Sequence, residues 1–286
     1  MNVSKSIKRI LLRYNTIKKH PLTKDASLVA LMRYFSFNIT QFIFKKPRMY
    51  NWINGLKFYA EKGDAGLVGN IYYKLMDYED SMFLIDSLKK DELFVDVGAN
   101  LGHFSLLASG ICKAKSIAIE PIKTTMDKLN RNIKLNNLTS YITLLNIGIG
   151  DKSETLSFTT NNTVMNSVSL EENSNTVKVE VKTLDQILKN ENPVFIKIDV
   201  EGYEYKVLKG AHYTLSNPSL KYLLVEFNNS GSKFNFEDQA VFDLITKHNF
   251  IPALYEPKSK QITKIKTFNR HKFNTLFIKN DINPNA

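Results

Sequence analysis

The sequence predicts an α/β fold: a mostly parallel sheet covered by helices, an antiparallel last strand, and a helical extension at the N-terminus. Three observations carry that prediction. Leu93-Phe-Val-Asp-Val97 is a short apolar, β-branched run that reads as a buried parallel strand; beyond a turn with two glycines, Phe104, Leu107, Ala108 and Ile111 recur at helical spacing. Lys115 to Glu120 repeats the pattern, an apolar strand followed by a helix with Ile122, Met126, Leu129 and Ile133 on one face. Near the end, strands at 250–255 and 274–279 are joined by a connection with no room for a crossover helix, so the last strand must pair antiparallel.

The first turn, Gly98-Ala-Asn-Leu-Gly102, spaces its glycines as G-x-x-x-G, not as the G-x-G-x-x-G of a dinucleotide site. Asn100 stands where it can cap the helix, and a glycine turn lets a ligand approach bare backbone. Asp96, just before the turn, would repel a diphosphate. It suits a cationic ligand such as the amino and sulfonium groups of S-adenosylmethionine. Glu120 follows Gly102 by 18 residues, close to the roughly 20-residue spacing at which an acid meets ribose hydroxyls.

A chain of 286 residues with 43% hydrophobic and 11% aromatic residues can bury a substantial core, as a soluble globular protein does. The net charge of +11 is uneven: residues 1–50 hold eleven Lys and Arg against the single acid Asp25, while 51–286 hold 28 against 27. The main domain is therefore nearly neutral, which argues against a nucleic-acid partner. Cys112 is the only cysteine, so no intrachain disulfide forms and a reducing compartment is expected. No secretory leader is evident, and Arg33, Asn38 and Gln41 interrupt the most apolar stretch, 26–44. A cytoplasmic protein is expected, at most peripheral at the inner face of the membrane.

The division expected is a basic helical extension at 1–50, a strand and helix lead-in at 51–90, and the main domain at 91–286. Residues 3–19 place apolar side chains at helical spacing among lysines and arginines; Pro21 ends that helix, and Thr23 or Asp25 can cap a second. The extension reads either as a surface for anionic lipid or as a packed helical cap. A strand over 52–59, a turn at 62–66 and a helix over 76–88 lead into the domain. Residues 141–147 read as a third core strand, and 156–158 with 177–181 as a hairpin whose polar connection, 159–176, is either a substrate lid or disordered.

Val194 to Gly202 is the second chemically loaded stretch. Lys197, Asp199 and Glu201 alternate, so all three start on one strand face, and a helix with Val207, Leu208, Ala211 and Leu215 follows. Carboxylates at the carboxyl end of a parallel strand sit where open α/β sheets bind ligands. A packed Lys197 stem with its ammonium on a carboxylate is the plain reading of that lysine. A strand over 222–227 ends in Glu226, with Asn228 beyond, and a helix spans 237–247. The Lys-rich connection 258–272 is a solvated turn or a contact for an anionic substrate.

Together, Asp96-Val-Gly-Ala-Asn-Leu-Gly102, Glu120-Pro121, Gly148-Ile-Gly-Asp151 and Lys197-Ile-Asp-Val-Glu-Gly-Tyr-Glu204 resemble the FkbM family of S-adenosylmethionine-dependent methyltransferases, over roughly residues 50–230. The resemblance implies a Rossmann-like class I methyltransferase sheet of seven strands and transfer of a methyl group to oxygen, in many members on glycans or natural products. It would place Asp96, Gly98, Asn100 and Gly102 along the methionine part of S-adenosylmethionine and Glu120 on the ribose, with Asn146 and Ile147 beside adenine. His103 stands where members often have a small polar residue. A sugar hydroxyl needs a proton acceptor as the C–O bond forms, and Asp199, Glu201 and His103 are the candidates. A divalent ion held by carboxylates is the alternative, and is less favoured because no His or Cys reinforces the cluster.

The expected protein is thus a methyltransferase for a sugar hydroxyl of a surface glycan or polysaccharide. The rivals are a methyltransferase for RNA or a small molecule, and a silent membrane-associated partner in glycan assembly.

Overall fold

A computed structural model describes residues 3–160, 167–169 and 175–282. The chain divides into two compact units, Met1–Tyr78 and Glu79–Ala286.

The first unit contains helices α1 (Val3–Lys19) and α2 (Ser27–Phe44), strands β1 (Arg48–Asn51) and β2 (Lys57–Ala60), and helix α3 (Ala65–Tyr73). Ile17 of α1, Ala30 of α2, and Tyr72 and Tyr73 of α3 form its core. The Arg13 guanidinium donates to Tyr73 Oη at 2.7 Å and lies over the rings of Tyr34 and Tyr72, so this charge serves packing. Neither expected cap forms at α2: Thr23 Oγ1 donates back to the carbonyl of Ile17 at 2.8 Å, and a 3₁₀ turn, Lys24–Ala26, leads into the helix. The strand expected over 52–59 is only the second arm of a hairpin. Its first residues make a 3₁₀ turn in which Asn54 has a left-handed backbone, and β2 then pairs antiparallel with β1.

The second unit begins with helix α4 (Tyr78–Ser87), which starts at the boundary and is shorter than the helix expected over 76–88. There follow β3 (Leu93–Val97), α5 (His103–Gly110), β4 (Lys115–Ile119), α6 (Lys123–Leu135), β5 (Ile142–Leu145), β6 (Gly148–Ile149), β7 (Glu154–Thr159), β8 (Thr176–Lys182) and α7 (Leu184–Ile187). The chain closes with β9 (Pro193–Ile198), α8 (Glu204–Lys209), α9 (His212–Ser216), β10 (Tyr222–Glu226), α10 (Asp238–Lys247), β11 (Phe250–Glu256), β12 (Gln261–Lys264) and β13 (Asn274–Lys279). The single helix expected after Gly202 is two, because the chain turns at Gly210 between α8 and α9.

Among the described residues the main sheet has eight strands in the order β12-β11-β13-β10-β9-β3-β4-β5. From β10 to β5 the neighbours are parallel, and β13 runs antiparallel to both β10 and β11, as expected of a last strand joined without a helix. The eighth strand corrects the sequence reading: part of the Lys-rich connection forms β12, a hairpin partner of β11 at the sheet edge. Lysines suit such an edge, since their charge discourages pairing with another chain.

Both faces of the sheet are covered. Val95, Val97, Ile196 and Ile198 join the main core with Val207, Leu208, Leu215 and Ile245. On the opposite face Phe94 and Phe195 meet edge to face, and Phe195 meets Phe83 of α4. Strands buried on both faces read as continuous apolar runs, which is why β3, β4, β9 and β10 were legible. The expected hairpin forms from β7 and β8, in a separate sheet with β6. Most of its connection, and with it the choice between lid and disorder, lies outside the described residues.

Candidate active site

The carboxyl ends of β3, β4, β5 and β9 meet around the turn 98–102. Gly98 and Ala99 donate to the carbonyl of Ile119 at 3.0 and 2.9 Å, Glu120 donates to that of Leu145 at 3.1 Å, and Asp199 to that of Val97 at 3.0 Å. Gly98 and Gly102 have φ of +80° and +93°. A Cβ on Gly98 would lie 1.8 Å from the carbonyl oxygen of Asp199, and one on Gly102 would lie 2.4 Å from Leu129 Cδ1. Contacts inside the chain therefore account for both glycines. Asn100 does not cap the helix: its own backbone is left-handed, and α5 begins three residues later behind Gly102. Its amide N–H instead donates to Glu120 Oε2 at 3.0 Å.

Asp96 is 1% exposed. Its Oδ2 accepts from Ser105 N at 3.1 Å and Ser105 Oγ at 2.6 Å, both from the first turn of α5. Asp96 Oδ1 and Asn100 Oδ1 are buried with no hydrogen-bond partner among the described residues. Buried acceptors are ordinarily satisfied, so two such atoms at one turn mark a place for a ligand's donors. Glu120 is buried too, and its Oε1 accepts from Ile122 N at 3.0 Å. Each of its oxygens keeps a second lone pair for a hydroxyl. Burial pushes the carboxyl up to about 7, against the pull of the two backbone N–H groups. Asn146 spends its amide donors on the carbonyls of Glu120 and Pro121, at 2.8 and 2.9 Å, and so holds the turn after β4. Ile147 packs against the main core.

On the neighbouring strand the Lys197 ammonium donates to Asp199 Oδ2 at 2.8 Å and lies over the ring of Phe104, at 5.1 Å. Burial opposes its charge, but Asp199 and Asp96 outweigh burial and hold it above the ordinary lysine value. Glu201 corrects a detail of the sequence reading. The strand ends at Ile198 and Glu201 has φ of +56°, so its position does not follow from alternation. Burial, then Asp199, raises its carboxyl.

Two further residues join this group. Glu204 is 4% exposed and accepts from Val200 N and Gly202 N at 3.0 and 3.1 Å; burial pushes it up to about 7. Lys233 crosses Gly202, where an added Cβ would lie 2.9 Å from its Cε, and burial lowers its ammonium. Glu204 reads in sequence as an ordinary acid in a first helical turn, and Lys233 gives no signal, since only the 3₁₀ turn Ser230–Phe234 brings it in. Glu226, at the end of β10, has a buried Oε2 with no partner among the described residues, and burial and Asp199 push it up to about 9. His103 is buried with Nε2 2.8 Å from Ser81 Oγ, and burial and Lys197 push it down to about 3. A neutral imidazole of that kind is a poor proton acceptor near pH 7.

Among the described residues no group of three or more His, Cys, Asp or Glu side chains is placed to hold a metal ion. Around the strand ends carboxylates outnumber the ammonium groups of Lys197 and Lys233, and a ligand with positive charge and several donors fits them.

Residues 96–252, more than half of the chain, match the family model described as the methyltransferase FkbM domain. The chain belongs to the FkbM methyltransferase family. The strand order, with one antiparallel strand set between β10 and β11, is the Rossmann-like class I sheet that membership implies. Methyltransferase sdnD of Sordaria araneosa is 30% identical, over 46% of this chain and 65% of its own. Hexuronic acid methyltransferase AglP of Haloferax volcanii is 26% identical, over 51% of this chain and 59% of its own. The chain thus spans under two thirds of the length of either relative. A crystal structure of P. horikoshii TYW2 in complex with MeSAdo is similar at 15% identity and a TM-score of 0.45, covering 82% of this chain and 72% of that one.

Proposed function

We propose that the protein is an S-adenosylmethionine-dependent O-methyltransferase acting on a sugar hydroxyl of a glycan or polysaccharide. The observation that carries the reading is the pair of unpartnered buried acceptors, Asp96 Oδ1 and Asn100 Oδ1, beside the buried Glu120 in a family of methyltransferases. S-adenosylmethionine, when bound, supplies a methyl group already activated on a sulfonium. The two orphaned acceptors would take the donors of its amino acid portion, and Glu120 those of its ribose. The surrounding carboxylates favour a cation.

What remains for the chain is to hold a hydroxyl in line and accept its proton, and orientation alone can supply several kcal/mol. Glu201 is the better proton acceptor of the two strand-end acids: its carboxyl is raised, whereas Asp199 is engaged by Lys197. Asp199 then acts through that pair, fixing the turn that carries Glu201. The sugar acceptor draws support from the hexuronic acid named for the Haloferax volcanii relative. Mass spectrometry of glycans from wild-type cells and cells lacking the protein tests the reading. One methyl group lost from a sugar residue is the expected difference, and unchanged glycans alongside a loss of methylation in RNA or a small metabolite would overturn it.

A further inference from the structure

Helix α2 is apolar on two opposite sides, and its own unit uses one of them. Ala30, Phe37 and Gln41 are buried, Ala30 in the core with Ile17, Tyr72 and Tyr73. At about 100° per residue, Leu28, Met32, Phe35, Ile39, Phe42 and Ile43 fall within one arc roughly 100° wide on the other side. All six are exposed, from 37% for Phe35 to 80% for Phe42. The stripe runs the length of the helix, about 27 Å at 1.5 Å per residue. Single exposed apolar side chains are ordinary, but a continuous stripe marks a surface that something covers.

The charge around the stripe identifies the cover. α2 contains no acid, its one charged residue is Arg33, and it runs out into Lys45, Lys46 and Arg48, all exposed. Beside the stripe a groove of about 520 Å³ opens between α2 and β1, with Arg33, Arg48, Ser36 and Thr40 in its wall and Met32 shared with the stripe. Two guanidinium groups beside two hydroxyls suit a phosphate. A second copy of the chain would bring the same positive charge to the contact, since residues 1–50 hold eleven basic residues and one acid. An anionic phospholipid surface supplies both complements, acyl chains for the stripe and phosphates for the arginines.

We propose that α2 docks the protein on an anionic bilayer, with the stripe from Leu28 to Ile43 in the acyl boundary and a headgroup phosphate between Arg33 and Arg48. No helix among the described residues is long and apolar enough to cross a membrane; a docked α2 would lie in the plane of the surface, as amphipathic helices do. The inference is independent of the reaction, and it concerns residues that the basic character of α1 does not point to. For a transferase of glycans the consequence would be an enzyme held where lipid-linked acceptors are concentrated.

Sedimentation of the full chain with vesicles of phosphatidylcholine alone, and of phosphatidylcholine mixed with phosphatidylglycerol, tests it. The wild type is expected to bind the mixed vesicles, more weakly at high salt, and to leave the neutral ones. Ile39→Glu with Phe42→Glu, both at exposed sites, is expected to abolish binding, roughly a 100-fold loss or more in partition. Lys45→Glu with Lys46→Glu, which keeps the stripe, is expected to lower partition on the order of 10- to 100-fold. Circular dichroism and S-adenosylhomocysteine affinity should be unchanged in both. Failure of the folded wild type to bind mixed vesicles, binding that survives Ile39→Glu with Phe42→Glu, or a wild-type dimer that this variant dissociates would overturn the proposal.

Discussion

Asp96 and Lys197 stand opposite each other in register on the parallel strands β3 and β9, and the Lys197 ammonium reaches on to Asp199 at 2.8 Å. One buried cation thus serves two carboxylates, Asp96 on β3 and Asp199 beyond the end of β9. Lys197→Met would leave both acids without it. Removing one partner of a buried pair costs about 3–5 kcal/mol, and the lower end applies because the Asp199 side chain is 33% exposed. Chemical denaturation should show that loss. Asp199→Asn added to Lys197→Met should cost less than the two singles together; strict additivity would mean the ion pair contributes nothing.

The buried acids set the pH dependence. Their ordinary value is 4.5, and in the folded chain Glu120 and Glu204 rise to about 7 and Glu226 to about 9. Each raised value means that the unfolded chain gives up its proton first. Between these limits the native state binds more protons, so stability is fully present below about pH 4.5 and falls as pH rises through the folded values. The Tm of the chain alone should drop from about pH 5 to about pH 9. S-adenosylhomocysteine should oppose the drop, because its ribose donors favour the ionised Glu120, and its increment in Tm should grow over the same range. A flat Tm would mean that these carboxyls titrate normally.

Much of the site was legible because its chemistry sits at strand ends that announce themselves. Asp96 lies within the last residues of one apolar run and Glu120 follows another, and burial on both faces makes those runs unambiguous. Asn100 reads as a cap because an Asn before a helix usually caps it, whereas here the left-handed turn hands its N–H to Glu120. Glu201 shows the limit of period-two reasoning, which holds only while the strand lasts. Lys233 and β12 depend on how loops fold back over the sheet, and that is set by contacts distant in sequence. The apolar stripe of α2 was visible only as hydrophobicity, since which side a helix buries depends on its neighbours.

Glu201→Gln removes the proposed proton acceptor while keeping the shape of the side chain. With a sugar acceptor in hand, kcat should fall about 100- to 10,000-fold with S-adenosylhomocysteine affinity unchanged. Turnover by the wild type should survive chelation with EDTA, which a metal-dependent route would not. Equal activity in Glu201→Gln and wild type would return the role to Asp199.

The turn after β3 and the end of β4 are the proposed site of S-adenosylmethionine, and calorimetry with S-adenosylhomocysteine measures binding there. The folded wild type should bind one equivalent. Glu120→Ala removes the ribose contact and frees Asn100 N, and hydrogen bonds to a charged group, worth about 1.5–3 kcal/mol, translate into roughly 10- to 150-fold weaker binding. Absence of binding by the folded wild type, or equal affinity in wild type and Glu120→Ala, would rule out this site for the cofactor.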